Sequence, residues 1–358
     1  MAWNPIQMKQ ENLSVLRNVF LKQHSATKPQ LAKLSGLSVV TVNSLIHELL
    51  ETGEVIQKQM LPSGGGRPAL QYQYNGRYKM ALTAYMYVQE GRERLFLEVQ
   101  DLFQNMVASD AYEIADMDID MLEHAISRWM KQYPTISVMV FGIPGTEHQG
   151  KLKVMDYAIF QSQELFARLR STYQMPVLIE NDINAALFGY CQRQTIRQEC
   201  TAGLYFPKKY PPGSALYIRG DIYRGANHMV GELDQLPLGV DWREQNISDE
   251  QQLRNMDLLI QSIACMYDPH ALLIYCDTMD EALLKKLITI MKTEWKVLTP
   301  PTMILRSSIH EDFSLGVREI AARELFDQII RKERGTHYEK LDLHMHSKYK
   351  RRMGSMNP

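Results

Sequence analysis

Polar side chains with the chemistry to bind a ligand cluster near the middle of the chain. Four of them occupy five positions: Glu180, Asn181, Asp182 and Asn184. An apolar run typical of a buried strand precedes them, and a helix-compatible run follows. Ligands of open α/β sheets bind where a strand ends in this way. There an Asp can accept a hydrogen bond or a proton from a ligand hydroxyl, and an Asn can donate and accept. The alternative is a helix N-cap, although a cap needs only one such residue.

Two sets of segments must position this cluster. The first set reads as three strands, then helix, strand, helix and strand, at residues 81–88, 94–100, 106–112, 121–130, 136–141, about 163–172 and 177–179, the last of these being the apolar run before the cluster. The second set reads as three strands, then helix, strand, helix, strand and helix, at residues 202–206, 214–219, 221–223, 249–266, 271–275, 281 onward, 302–305 and 315–330. The first order is that of a ribonuclease-H-like lobe, and the second set repeats it. We therefore predict an α/β fold with two such lobes.

Residues 1–75 have a different pattern, typical of a winged helix-turn-helix that binds DNA. Gly36 permits a tight turn between a second and a third helix, and Ser38 is a suitable N-cap for the third. Gly53 would end that helix. Recognition helices of this type present side chains to a DNA major groove. The residues predicted to do so are Val40, Thr41, Asn43, Ser44 and His47.

A hairpin wing is predicted after the third helix. Residues 54–57 and 69–74 are strand-like, and the glycine-rich segment 61–68 between them carries Arg67. An Arg on such a tip can enter a narrow minor groove, where the potential is most negative. The alternatives are an ordinary three-helix bundle for the module and a solvated loop charge for Arg67.

Composition limits the possible classes of protein. The chain has 358 residues, 45% of them hydrophobic and 23% charged, and a formal net charge of -1, so any affinity for nucleic acid must be local. The four cysteines form no CxC or CxxC pair that would suggest a zinc or redox site: Cys191, Cys200, Cys265 and Cys276. We found no signal peptide and no membrane-spanning run, so a cytoplasmic location is expected.

The domain boundaries follow from these patterns. The turn at Asn75-Gly76 separates the DNA-binding module from the rest of the chain. The predicted units are a winged helix-turn-helix at 1–75, a first lobe at 76–190 that a final helix at 313–332 joins, a second lobe with a dimerisation role at 191–312, and a basic tail at 333–358.

Four short motifs stand in an order that resembles the ROK family of repressors, open reading frames and sugar kinases. They are Gly-Ile-Pro-Gly at 142–145, Glu-Asn-Asp-Ile-Asn-Ala-Ala at 180–186, Gly-Asp-Ile-Tyr-Arg-Gly at 220–225 and Gly-Glu at 231–232. The amino-terminal module places the chain in the repressor branch, similar to the xylose and N-acetylglucosamine repressors. The resemblance implies two lobes of the actin and sugar-kinase type, with a sugar cleft between them.

The resemblance also implies the roles of particular residues. In family kinases the residues that match Asn181 and Asp182 bind the sugar, and that Asp is the catalytic base. Glu232 matches another sugar-binding residue, and Gly145 is expected in the cleft wall. Gln235 occupies the position of the family's sugar-binding His. The expected partners are operator DNA, a sugar or sugar-phosphate effector and a second copy of the chain in a homodimer or higher homo-oligomer.

Departures from the family pattern argue against catalysis. The Asp-x-Gly-Gly-Thr phosphate loop of the kinases is replaced by residues 81–87, which contain neither glycine nor carboxylate, and a second glycine-rich loop is reduced to 213–215. The family's cysteine-rich zinc motif is also absent, so His228 is interpreted as structural or sugar-facing. We therefore expect no enzymatic activity, cofactor or metal.

Three functions remain open at this stage. The first is a transcription factor controlled by a sugar or sugar phosphate. The second is a DNA-binding protein whose kinase-like part is only a dimerisation scaffold, an alternative that the replacement of the family His by Gln235 favours. The third is an active sugar kinase. The sequence does not identify the effector, the operator or the sign of regulation.

Overall fold

The computed structural model describes residues 5–58, 70–89, 91–148, 151–153, 164–194, 199–208, 210–242, 248–277, 281–295 and 301–331. The chain divides into two compact units. Unit 1 comprises Met1–Tyr78 and Glu324–Pro358, and unit 2 comprises Lys79–Arg323. Within the described residues, no helix combines the length and the apolar character that a membrane crossing requires.

Unit 1 begins with three helices and a small antiparallel sheet. Its elements in order are α1 (Pro5–Gln23), β1 (Ser25–Thr27), α2 (Lys28–Ser35), α3 (Val39–Glu51), β2 (Val55–Gln57) and β3 (Gln71–Tyr74). The sheet order is β1-β3-β2. The segment that joins β2 to β3 carries the predicted wing and lies largely outside the described residues.

The ends of α2 and α3 follow from capping residues. Thr27 caps α2 in a reciprocal capping box with Gln30. Gly36 ends α2 with a φ of 72°, a left-handed conformation that glycine adopts without strain. The hydroxyl of Ser38 accepts a hydrogen bond from the Thr41 N–H and so begins α3, as predicted. Gly53, also left-handed, follows the last turn of that helix.

The core of unit 1 encloses one ion pair. Leu16, Phe20 and Leu49 are fully buried. The Arg17 side chain donates to both carboxylate oxygens of Glu54, each at 2.6 Å. The two hydrogen bonds compensate the burial of both charges. Removal of either partner would therefore be costly, because the other charge would stay buried without it.

Unit 2 contains a first five-stranded sheet in the order β10-β7-β4-β5-β6. Its strands are β4 (Met80–Gln89), β5 (Arg92–Asp101), β6 (Met106–Glu113), β7 (Ile136–Ile143) and β10 (Val177–Asn181). Strand β5 pairs antiparallel with both β4 and β6, whereas β7 pairs parallel with both β4 and β10. A short hairpin of β8 (Thr146–His148) and β9 (Lys151–Lys153) follows β7, and the helices are α4 (Ile119–Gln132), α5 (Glu164–Tyr173) and α6 (Asp182–Arg193).

A second sheet repeats this order as β13-β12-β11-β14-β15. Its strands are β11 (Cys200–Phe206), β12 (Gly213–Ile218), β13 (Asp221–Ile222), β14 (Ala271–Cys276) and β15 (Thr302–Arg306). Strand β12 pairs antiparallel with both β11 and β13, whereas β14 pairs parallel with both β11 and β15. The helices of this half are α7 (Asp249–Tyr267), α8 (Glu281–Glu294) and α9 (His310–Arg331). The α/β prediction and the repeated strand order are confirmed.

Helices α6 and α9 approach each other closely in unit 2 through two glycines. A Cβ on Gly316 would lie 1.7 Å from the Ala185 carbonyl oxygen, and one on Gly189 would lie 2.1 Å from the Asp312 carbonyl oxygen. Neither backbone could accept a side chain at this contact. Because α6 starts at the polar cluster, the crossing fixes the position of the cluster within unit 2.

Candidate functional site

A cavity of about 500 Å³ lies in unit 2 at the start of α6. Four of the residues predicted to bind sugar line it: Gly145, Asn181, Asp182 and Glu232. The register of the first sheet explains part of this convergence, because Asn181 at the end of β10 pairs with Ile143 at the end of β7. Gln235 does not line the cavity and is exposed, so it does not take the place implied by the family His.

Asn181 caps α6 and also lines the cavity. Its side-chain oxygen accepts hydrogen bonds from the N–H groups of Ile183, at 3.1 Å, and Asn184, at 3.4 Å, and so caps α6. No described residue accepts a hydrogen bond from its amide nitrogen, which remains a donor at the cavity wall. The N-cap explanation is therefore right for Asn181 without excluding a ligand contact.

The side chains of Glu180 and Asn184, in contrast, form hydrogen bonds within the protein. The Asn184 amide donates to Glu180 Oε1 at 2.9 Å, and the Arg224 guanidinium donates to Glu180 Oε2 at 3.0 and 2.5 Å. Glu180 is only 8% exposed. Burial would lower the pKa of Arg224, but the charge of Glu180 and the hydrogen bonds to it outweigh burial and raise that pKa.

The ion pairs continue from this point to α9. Arg224 lies 3.9 Å from Asp221, and the Arg323 guanidinium donates to the other carboxylate oxygen of Asp221 at 3.0 Å. Burial would raise the pKa of Asp221, but the hydrogen bond and charge of Arg323, together with the charge of Arg224, lower it. A chain of charged contacts thus joins the start of α6 to a late turn of α9. Sequence reasoning missed Arg224 and Arg323, whose partners are distant in the chain.

Glu232 reaches the cavity because the loop before it is held against β12. Gly231 has a φ of 102°, and a Cβ on it would lie 1.8 Å from the Ser214 carbonyl oxygen. The Ser214 N–H donates to the Gly231 carbonyl at 2.9 Å, and Gly213 forms an isolated bridge with Glu232. Glycine is therefore required beside Glu232, a reason for the Gly-Glu motif that spacing alone could not supply.

Strand β4 carries aromatic side chains at the place where the family resemblance predicts the phosphate loop of the kinases. Tyr85 stacks on Phe96 with ring centroids 5.2 Å apart, and Tyr87 contacts the His310 ring at 4.2 Å. The Tyr87 hydroxyl also shares a 3.2 Å hydrogen bond with Ser308. Burial lowers the pKa of His310. Tyr87 and Ser308 both line the cavity and were not predicted as site residues.

Two further carboxylates line the cavity without having been predicted, Asp234 and Asp277. The Tyr205 hydroxyl donates to Asp277 at 2.7 Å, while burial raises the pKa of that carboxyl. The position of Asp277 at the end of a parallel strand is a general signal for a ligand contact, and Asp234 follows Glu232 by two residues. Within the described residues, no group of three or more His, Cys, Asp or Glu side chains could hold a metal ion.

The residues predicted to contact DNA lie mainly on one surface of α3. Val40 is 81% exposed, and Asn43, Ser44 and His47 are exposed as well, whereas Thr41 is half-buried. Lys28 of α2 donates to the Asn43 side chain, which brings a positive charge to the same surface. Arg67 lies outside the described residues.

Comparison with known proteins finds transcriptional regulators that are similar in sequence to this chain. The xylose repressor of Bacillus subtilis is 22% identical over 237 residues, which make up 64% of this chain and 61% of the repressor. The DNA-binding transcriptional dual regulator NagC of Escherichia coli K12 is 22% identical over 251 residues, 65% of this chain and 59% of NagC. The chain thus spans about three fifths of the length of these curated relatives. No family model matches the chain.

Solved structures with the same fold include a regulator. A ROK family transcriptional regulator, described as a homologue of the Escherichia coli MLC protein, has a TM-score of 0.61 at 14% identity and covers 91% of this chain and 98% of its own. The resemblance to ROK-family transcriptional regulators is confirmed.

ROK proteins of other kinds share the fold of about 70% of this chain. A ROK family protein of Streptococcus pneumoniae in complex with sucrose has a TM-score of 0.55 at 13% identity, and covers 69% of this chain and 99% of its own. The ROK hexokinase of Thermus thermophilus has a TM-score of 0.51 at 15% identity, and covers 70% and 99%. Regulators and sugar kinases of the ROK family therefore have a common fold, and the site must distinguish their functions.

Proposed function

We propose that this chain is a cytoplasmic transcriptional repressor of carbohydrate metabolism whose affinity for operator DNA is set by a sugar or sugar phosphate in the unit 2 cavity. The observation that carries the proposal is the convergence of Gly145, Asn181, Asp182 and Glu232 on that cavity. The similarity to a xylose repressor and to NagC supports the regulatory class.

The amino-terminal elements support the DNA-binding half of the proposal. Helices α2 and α3, joined by a turn at Gly36 and followed by β2 and β3, have the order of a winged helix-turn-helix. Residues 12–47 contain no Asp or Glu but include Lys22, Lys28 and Lys33. A surface without acidic side chains suits the phosphate backbone. A homodimer would place two such modules on successive half-sites of an operator.

The cavity supports the effector half. Asp182 and Glu232 are hydrogen-bond acceptors, and the Asn181 amide nitrogen is a donor, which together match sugar hydroxyls. A ligand can change DNA affinity only if it binds one state of the protein better than the other, so the sugar is proposed to favour the DNA-free state.

The experiment has two stages that test the two halves separately. Genomic DNA fragments retained by the purified full-length chain are first selected, and the dissociation constant of one fragment is measured at a stated salt concentration. Free sugars and their phosphate esters are then added. We expect a specific fragment to bind and one sugar compound to release it. Selection of no fragment contradicts the DNA-binding half, and a fragment that no sugar compound releases contradicts the effector half.

The scaffold alternative has one observation in its favour. Gln235, the position of the family His, is exposed and outside the cavity. If the kinase-like part served only for dimerisation, no sugar would raise the melting temperature, because only a ligand that binds the native state stabilises it. A thermal-shift screen against sugars and sugar phosphates decides between the two functions.

The kinase alternative is kept open by the ROK hexokinase with the same fold. It conflicts with the aromatic residues on β4, where positioning of phosphate would require close approach of the backbone. We expect no hexose-dependent ADP production by the pure protein. ADP production that Asp182→Asn abolishes would contradict this expectation.

A further inference from the structure

We propose that the cavity selects an unphosphorylated sugar, neutral or carrying an amino group, and discriminates against sugar phosphates. This inference rests on the proposed function and narrows its effector to one chemical class. It depends on the charges that line the cavity and on three places where backbone N–H groups could otherwise bind a phosphate. These places are the amino terminus of α6, strand β4 and the connection from β11 to β12.

The described charged side chains that line the cavity are mostly acidic. Asp182, Glu232, Asp234 and Asp277 carry carboxylates, whereas Lys208 is the basic residue among them and is exposed. The exposed charges of Lys208 and Asp277 are screened by water and salt, while the half-buried carboxylates of Asp182, Glu232 and Asp234 are screened less. A dianionic phosphate would therefore meet a repulsive potential in this cavity, and a neutral or cationic sugar would not.

The amino terminus of α6, a general site for anions, is already occupied. Free N–H groups in a first helical turn attract phosphate. Here the N–H groups of Ile183 and Asn184 donate to the Asn181 side chain, and the Ile183 N–H also contacts Asp182 Oδ1 at 2.7 Å. The first turn thus presents the Asp182 carboxylate to the cavity, and the N–H groups of Ile183 and Asn184 already have acceptors.

In the described part of the two strand hairpins at the cavity, side chains and prolines form most of the lining, with Gly91 and Gly213 as the lining glycines. On β4 the cavity is lined by Met86, Tyr87 and Val88, whose side chains keep a ligand away from the backbone. In the connection from β11 to β12 three lining residues are prolines, Pro207, Pro211 and Pro212. Proline has no N–H group, so these three positions cannot donate to a phosphate as the residues of a glycine-rich loop do.

The test compares free sugars with their own phosphate esters on the purified full-length chain. Glucose, N-acetylglucosamine and glucosamine are each paired with the matching 6-phosphate, and xylose is added alone. Dissociation constants are measured by calorimetry at low and high salt, with thermal shift as a second readout. We expect a free sugar that binds to do so at least about tenfold more tightly than its phosphate, with a smaller ratio at high salt.

Charge variants connect that ratio to the cavity. Asp234→Asn should improve phosphate binding several-fold relative to the free sugar, and Asp277→Asn should do so less because Asp277 is exposed. Asp120→Asn, which removes the same charge from the exposed first turn of α4, should leave the ratio unchanged. Equal or tighter binding of a phosphate ester than of its free sugar overturns the inference but agrees with the proposed function. Binding of neither form overturns the effector half of that function, and this inference with it.

Discussion

Neighbouring residues of the polar cluster at the start of α6 serve different purposes. Glu180 and Asn184 turn into the protein, where Arg224 and their own mutual hydrogen bond satisfy them. Asn181 and Asp182, between them in sequence, line the cavity instead. The hydrogen bond from Asn184 in the first turn of α6 to Glu180 near the end of β10 holds these two side chains on the same side of the junction.

Helix α3 shows the same division with apolar side chains. Val42 is completely buried, whereas Val40, two positions earlier, is 81% exposed. An exposed valine at the start of a helix contributes little to folding, but it can contact the methyl group of thymine. In both places residues of similar chemistry are separated by the direction of the backbone into a group that packs in the interior and a group that lines the cavity or is exposed. Substitutions on the two sides should therefore affect different measurements.

The largest effect is expected on the interior side of the cluster. Glu180→Ala would remove the buried carboxylate that accepts from Arg224 and Asn184 and leave Arg224 only its longer 3.9 Å contact with Asp221, at a cost of about 2–3 kcal/mol in the free energy of unfolding. Asp182→Ala, the matched control on the cavity side, should cost less than about 1 kcal/mol. Urea denaturation measures both. Equal losses would show that the two sides are not distinct.

Asp182→Ala should instead weaken effector binding. Loss of a hydrogen bond between a charged carboxylate and a sugar hydroxyl corresponds to about tenfold in affinity or more, or about 1.4 kcal/mol. DNA binding without effector should be unchanged. Calorimetry with the sugar found in the screen gives the affinity, and Asp120→Ala, far from the cavity, provides the control.

Val40→Ala should weaken binding to a selected operator by about fivefold, or about 1 kcal/mol, because methyl contacts with thymine would be lost. Val42→Ala should lower stability without such a change in the DNA affinity of the folded protein. Replacing thymine by uracil in the half-site removes the same methyl groups, so the effects of Val40→Ala and of uracil should not add. Additive losses would place Val40 away from thymine.

Arg67→Ala is expected to have the smallest effect, about threefold, on an operator with A·T-rich flanks, where the minor groove is narrow. A G·C-rich flank should reduce the difference between wild type and variant. An equal affinity of both proteins for the A·T-flanked operator would remove the proposed minor-groove contact. Fluorescence anisotropy at fixed salt concentration is suitable for this comparison.

Sequence patterns predicted most of the segments because their periodicity and caps are local. Ser38, Gly36 and Gly53 mark the ends of helices in the structure as they do in the sequence. Gly145 and Asp182 were placed together through a family resemblance, and both line the cavity.

Contacts between distant segments were beyond the reach of the sequence. Arg224 pairs with Glu180 across 44 positions, and Asp277 reaches the cavity from another sheet. Gln235 was expected at the site by position, but the short helical turn after Glu232 leaves it exposed. Such outcomes depend on how the loops of two sheets meet, which no local pattern records.

The most direct test of the account is the DNA affinity of wild type and Asp182→Ala as a function of effector concentration. Both proteins should bind the selected operator equally without sugar. The wild type should release DNA as the sugar is added, and Asp182→Ala should need at least about tenfold more of it. If Asp182→Ala releases DNA at the same sugar concentration as the wild type, the cavity does not hold the effector and the central proposal is wrong.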